Sequence, residues 1–205
     1  MALRPVYRWT RDLHLYLGLF VSPFVLLFAI SVLLLNHVWL PWGGLGEVPP
    51  ETRRLTIALA HQENNLELAK QIQRQIGIAG EIDFISRDVN ADRVSFPITR
   101  PGYRTTVRVD LSSGATQLEE QRTGIWDAVN YLHKMPGPHN ASVRGNWIFT
   151  RIWGWLADWT VYLLLFSTAS GVYLWTVLKA ERRAGLFFLG AGAVFFLALV
   201  FALTG

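Results

Sequence analysis

Five histidines are present, and four of them, His14, His37, His133 and His139, lie beside long apolar stretches. Imidazole is the side chain that most readily binds a transition metal or changes charge near neutral pH. His14 and His37 close the ends of a segment, Leu13 to His37, that has no charged residue between them. They are 23 residues apart, about 34 Å along a helix, which matches the thickness of a bilayer core. One ion cannot be shared over that distance. A joint role for the two would need two sites, one at each face.

His37 ends this first stretch, while His133 and His139 flank Met135-Pro-Gly-Pro138 just before a second one. If the two stretches are neighbouring helices, the three histidines meet at one level and form a candidate site for a metal ion or for haem b. Two imidazoles on a haem iron transfer electrons without an open coordination position, and Met135 is a further axial candidate. Asp158, the lone acid in the second stretch, is a functional candidate because acids are costly in lipid. It would orient a ligand imidazole by accepting its other N–H. His14 is the candidate at the opposite face, where a second protein ligand would have to come from another subunit. The plainer alternative is that these histidines bond lipid headgroups or helix ends and that Asp158 pairs with Arg151 or an indole N–H. His61 reads as a surface residue.

There are no cysteines, which excludes disulfides, thiolate catalysis and cysteine-held metal clusters. Net charge is +4, but the excess is not arranged as a nucleic-acid face. The basic tail and Lys179-Ala-Glu-Arg-Arg183 hold six bases and two acids, whereas Glu47 to Arg151 holds thirteen bases and twelve acids. The surplus thus flanks apolar segments, and nucleic acid is not an expected partner.

These features predict an α+β membrane protein with three transmembrane helices and a small extracytoplasmic domain built on an antiparallel sheet. Residues 1–12 form a cytoplasmic start, 13–40 the first span, 41–148 the outward domain, 149–178 the second span, 179–183 a cytoplasmic loop and 184–205 the third span. Pro23 is tolerable in a span if a neighbour satisfies the carbonyl it frees. The bases on the tail and on loop 179–183 place both in the cytoplasm by the positive-inside rule. A cleaved signal peptide fits less well, because the apolar run is too long and no A-x-A site follows. Trp39, Trp42, Trp147, Trp153, Trp155 and Trp159 form one interfacial belt, and Trp9 and Trp175 mark the other face. Gly18/Ser22, Ser167/Gly171 and Gly190-Ala-Gly-Ala193 are small-residue positions where helices can approach.

Within the outward domain, Leu66, Ala69, Ile72 and Ile76 repeat at helical spacing before Gly77. Alternating segments follow at Glu81–Arg87, Arg93–Ile98 and Tyr103–Leu111, then a strand near Ala115–Glu120 and a short helix over Trp126 to Lys134. No G-x-S-x-G, H-E-x-x-H or phosphate loop occurs. No internal repeat of the kind that builds a transporter is visible.

The order of several loose motifs carries a resemblance. A basic start followed by Leu13-His14-x3-Gly18-Leu19 resembles the opening of PepSY-associated transmembrane proteins. The helix ending at Gly77, the strands, and Val107-Arg-Val-Asp110-Leu-Ser-Ser-Gly114-Ala-Thr116 are similar to a PepSY module, whose usual ending is V-D-x-x-T-G. Tyr131-Leu132-His133 and Ser170-Gly171-Val-Tyr-Leu-Trp175 resemble that family's return helix. The resemblance spans about Arg8 to Trp175. It implies a bacterial inner-membrane protein with a periplasmic PepSY-like domain, related to iron and siderophore uptake, and in some members a b-type haem ferric reductase. This chain departs from the larger members in having three spans, one module and Ser113 where a threonine is usual. Two functions follow as expectations. One is haem-based electron transfer to ferric chelates. The other is a non-catalytic accessory subunit docking a membrane or extracytoplasmic partner, or an oligomer of itself.

Overall fold

The computed structural model describes residues 3–37, 48–59, 62, 64–135, 147–178 and 182–204. In chain order the elements are α1 (Leu3–Asn36), β1 (Val48–Thr56), α2 (Asn65–Ile76), β2 (Glu81–Ile82), β3 (Ser86–Asp88), β4 (Arg93–Arg100), β5 (Tyr103–Asp110), β6 (Ala115–Arg122), α3 (Gly124–Lys134), α4 (Ile148–Leu178) and α5 (Arg182–Thr204). Among the described residues, α1, α4 and α5 are long and apolar enough to cross a membrane. The α+β character and the three spans expected from the sequence are present. The chain divides into two compact units. One is formed by Met1–Pro23 with Thr160–Gly205, the other by Phe24–Trp159.

In the first unit, α1 starts well before the apolar run. Pro23 has no N–H for the carbonyl of Leu19, four residues back, which would normally accept it. The hydroxyl of Ser22 donates to that carbonyl instead, at 2.9 Å. The proline therefore costs the helix little. At the other end of the unit, the Trp175 indole occupies the space a Cβ would need at Gly185, 2.3 Å from that position. Gly185 thus lets the start of α5 press against an aromatic ring of α4.

The second unit contains an antiparallel sheet in the order β1-β6-β5-β4-β2, with β3 also paired to β4. Alternate residues Val94, Phe96 and Ile98 of β4 and Val107 and Val109 of β5 are buried and form a core with Leu118, Leu66, Ala69 and Ile72. Burying each of these valine, leucine, isoleucine and phenylalanine side chains contributes roughly 1.5–3 kcal/mol. α2 lies on this face because its apolar residues fall on one stripe. The helix is capped at both ends: the Asn64 side chain accepts from the amides of Leu66 and Glu67, and Gly77 (φ 69°) ends the helix in the left-handed region.

Two features differ from the sequence expectation. β1 is an edge strand that Pro49 and Pro50 disguise. Its register with β6 shifts between Val48 and Glu51, where those prolines stand, and edge positions tolerate prolines because no partner needs their N–H. The single strand expected over Glu81–Arg87 is two short ones. Ile82 pairs with Ile98 and Ser86 with Ser95, so three residues oppose Phe96 and Pro97. Pro97 cannot donate to the ladder there, although its carbonyl still accepts from Asp83 N at 2.9 Å.

The β5–β6 turn is fixed by Asp110. Its Oδ1 accepts from the Ser112 hydroxyl (2.6 Å), the Ser113 amide (3.0 Å) and the Ser113 hydroxyl (2.9 Å). These bonds, the Ser112 hydroxyl foremost, hold the carboxyl down to about 2. Ser113 thus gives Asp110 both an amide and a hydroxyl. Gly114 (φ 70°) completes the turn, and a Cβ there would lie 2.3 Å from the Ile57 carbonyl oxygen.

Candidate functional site

Three of the candidate histidines lie among the described residues, and each uses Nδ1 in the same way. His133, in the last turn of α3, has Nδ1 2.8 Å from the hydroxyl oxygen of Ser31 on α1. That serine is fully buried. Its hydroxyl proton is already committed, because Ser31 Oγ donates to Phe28 O at 2.7 Å. A serine has one proton to give, so Oγ must accept from His133 Nδ1–H. His14 repeats the arrangement in the other unit. Its Nδ1 is 2.8 Å from Ser170 Oγ, whose proton goes to Phe166 O at 2.6 Å. His37 Nδ1 is 3.0 Å from Leu33 O, and a carbonyl can only accept. Neutral His14, His37 and His133 therefore all carry the proton on Nδ1, and Nε2 is the basic nitrogen of each ring.

Nδ1 anchored by an acceptor, with the basic character on Nε2, is the state in which an imidazole binds a metal or takes a proton. The His133 pocket is built from three helices of one unit. Phe28 meets the imidazole edge-on with ring centroids 5.6 Å apart and also lies beside Trp153 of α4, at 6.1 Å. The Trp153 indole donates to the Leu132 carbonyl at 2.9 Å, satisfying one of the acceptors that the end of α3 leaves open. Phe28, Ser31 and Trp153 therefore fix both the end of α3 and the rotation of the His133 ring. Around His14, a Cβ at Gly171 would lie 3.5 Å from the imidazole Cε1. Of the glycines singled out from the sequence, Gly18, Gly190 and Gly192 have nothing within 4 Å of where a Cβ would stand, and Gly171 alone among these faces a histidine.

The other candidates fall as follows. His37 directly follows the last residue of α1, one turn beyond Leu33 and six residues after Ser31. Met135 caps α3 two residues after His133. Asp158 is exposed on α4 and has no hydrogen bond or ion pair to a described residue, Arg151 included. His61 and His139 lie outside the described residues. No cluster of three or more histidine, aspartate or glutamate side chains positioned for a metal ion occurs among the described residues.

Nothing in the sequence points to Ser31 or Ser170 as the partner of a histidine, or to Glu81 as a helix cap. Glu81 is 1 % exposed, and its Oε2 accepts from Thr150 Oγ1 at 2.8 Å and from Trp147 N at 3.3 Å. The carboxylate thereby caps the start of α4, where open amides and the helix dipole favour negative charge. A glutamate beginning an alternating segment carries no sign of this, since its partners are 66 and 69 residues away.

The PepSY_TM-like family matches residues 8–204. Comparison with curated proteins and with solved structures gives no match.

Proposed function

Because the chain belongs to the PepSY_TM-like family of membrane proteins, we propose that it is an electron-transfer protein holding haem b on histidine Nε2 atoms and serving the reduction of ferric chelates outside the cytoplasmic membrane. The observation that carries this reading is the shared tautomer: Ser31, Ser170 and Leu33 O each take the Nδ1 proton and make Nε2 the basic atom. His133 is the first ligand of the site, with His37, His139 or Met135 as its second. His14 serves a site at the opposite face that a second copy would complete. When bound, the haem supplies one-electron transfer at a closed coordination sphere. Ser31 and Ser170 hold the imidazoles in register, and Phe28 packs edge-on against the His133 ring. The N-terminus and residues 179–183 face the cytoplasm in this reading, and the sheet faces outward.

An absorption spectrum of the detergent-solubilised full chain tests it. A Soret band that shifts on dithionite is expected, and His133→Ala should remove most of it while Ser31→Ala shifts the reduction potential. Protein that is colourless after expression with excess haem overturns the reading. A second reading is favoured by α5, none of whose residues is buried: a non-catalytic accessory subunit anchored by its spans and docked on a partner. Colourless protein that co-purifies with one membrane partner in fixed ratio would support it.

A further inference from the structure

The sheet holds α3 along one side. The chain turns from β6 into the helix at Gly124 (φ 83°), where the Thr123 amide donates to the Gly102 carbonyl of the β4–β5 hairpin at 3.0 Å. A Cβ at Gly102 would lie 3.8 Å from the Ala128 side chain and from the Gly124 carbonyl oxygen, and the Tyr131 hydroxyl donates to the Thr99 carbonyl at 3.4 Å. Residues 124, 128 and 131 therefore form the side that rests on the hairpin. At about 100° per residue, Ile125, Val129 and Leu132 share a second, apolar side, and Asp127, Asn130 and Lys134 a third, polar one.

The C-terminal end of α3 is at membrane level. His133 meets Ser31 of α1, and the Leu132 carbonyl meets the Trp153 indole of α4. Ser31 is five residues before the end of α1, and Trp153 five after the start of α4. Each contact thus lies about 7.5 Å inside the end of a span. Both spans present apolar side chains farther out, since Val32 and Leu33 of α1 and Ile148 and Phe149 of α4 are exposed. The lipid-facing surface of these spans runs past Leu132 and His133 and continues onto α3, where Ile125 is 69 % exposed. Val89 is 82 % exposed but belongs to the opposite end of the sheet. It follows Asp88, which pairs with Arg93, whereas Glu81, at the start of α4, pairs with Thr99.

We propose that α3 is an interfacial helix whose Ile125–Val129–Leu132 side inserts among the lipids around the ends of α1 and α4. An amphipathic helix of this kind lies in the membrane plane with its apolar side about 5–10 Å into the boundary between headgroups and acyl chains. Continuity with the exposed surface of the spans is what selects lipid over a protein partner. Insertion sets the depth at which Leu132 and His133 reach α4 and α1, and it does not depend on the haem reading.

The chain has no cysteine, so a single introduced one carries a nitroxide label at one known position. Electron paramagnetic resonance of the full-length protein in phosphatidylcholine vesicles then compares collisions with oxygen, which concentrates among acyl chains, and with a water-soluble nickel chelate. Labels at Ile125→Cys and Val129→Cys should each give an oxygen-to-nickel ratio at least about threefold above that at Val89→Cys, as a depth of about 5–10 Å requires. Asp127→Cys, on the polar side of the same helix, should fall below both. Either of the two apolar positions is sufficient if the other variant misfolds. A ratio at position 125 or 129 equal to that at 89, with the circular dichroism of the parent, would put this side of α3 in water and overturn the proposal. Labels shielded from both reagents would mean that a partner protein or a second copy covers it, which overturns the proposal as well. Neither result alters the Soret band, so the haem reading stands or falls separately.

Discussion

A serine hydroxyl has one proton, and in both Ser31 and Ser170 it goes to a carbonyl one turn back on the same helix. That local bond, which otherwise only bends helices slightly, makes each serine an acceptor for an imidazole from elsewhere in the chain. The histidines are legible in the sequence because imidazole is rare in apolar runs. The serines are not, because a serine among leucines looks like a packing residue and its partner is 102 or 156 positions away. Asp110 illustrates the opposite case, in which a short motif contains all its own partners. Its carboxyl is held down to about 2 by Ser112 and Ser113. A group depressed in the folded state stabilises the fold fully above its unfolded value, about 3.9, and that contribution is lost as pH falls through 2. Asp110→Asn should therefore show a smaller loss of stability between pH 4 and pH 2 than the parent, measured by thermal unfolding followed by circular dichroism. An identical acid dependence in the two proteins would count against this role.

At the level of elements, the helix over Leu66–Ile76 and the strands from Arg93 onward are readable because their apolar periods are strong and Gly77 and Gly114 punctuate them. The first strand is hidden by Pro49-Pro50, and the break between β2 and β3 by Pro97, since a proline's effect depends on which neighbour needs its missing N–H. The start of α4 depends on Glu81 in the same hidden way. Removing a buried carboxylate that receives a hydroxyl and an amide leaves both donors unsatisfied, at a cost of about 1–3 kcal/mol. Glu81→Leu should lower the unfolding midpoint of the sheet-containing unit by several degrees in a thermal scan, and Glu81→Gln by less, because the amide oxygen still accepts. Equal midpoints for all three proteins would show that the cap contributes nothing.

For the whole molecule, composition and hydropathy are sufficient to place three membrane helices, because about 20 apolar residues have few other uses. Side-chain pairing between distant segments is not readable in that way. The charge asymmetry makes the topology testable. Alkaline phosphatase fused after Glu120 should be active in a bacterial host and inactive when fused after Glu181, and the opposite pattern would invert the orientation. The sheet adds a constraint in time. β1 pairs with β6, the last strand made, with Thr56 opposite Ala115 and Val48 opposite Arg122. At 5–20 residues per second, Arg122 is synthesised about 3–13 s after Thr56. β1 leaves the ribosome ahead of β6 by about that interval, and until β6 follows its ladder groups have no native mate. The prolines and charges that conceal this strand from sequence reading are also what keep it from recruiting a neighbouring nascent chain while it waits.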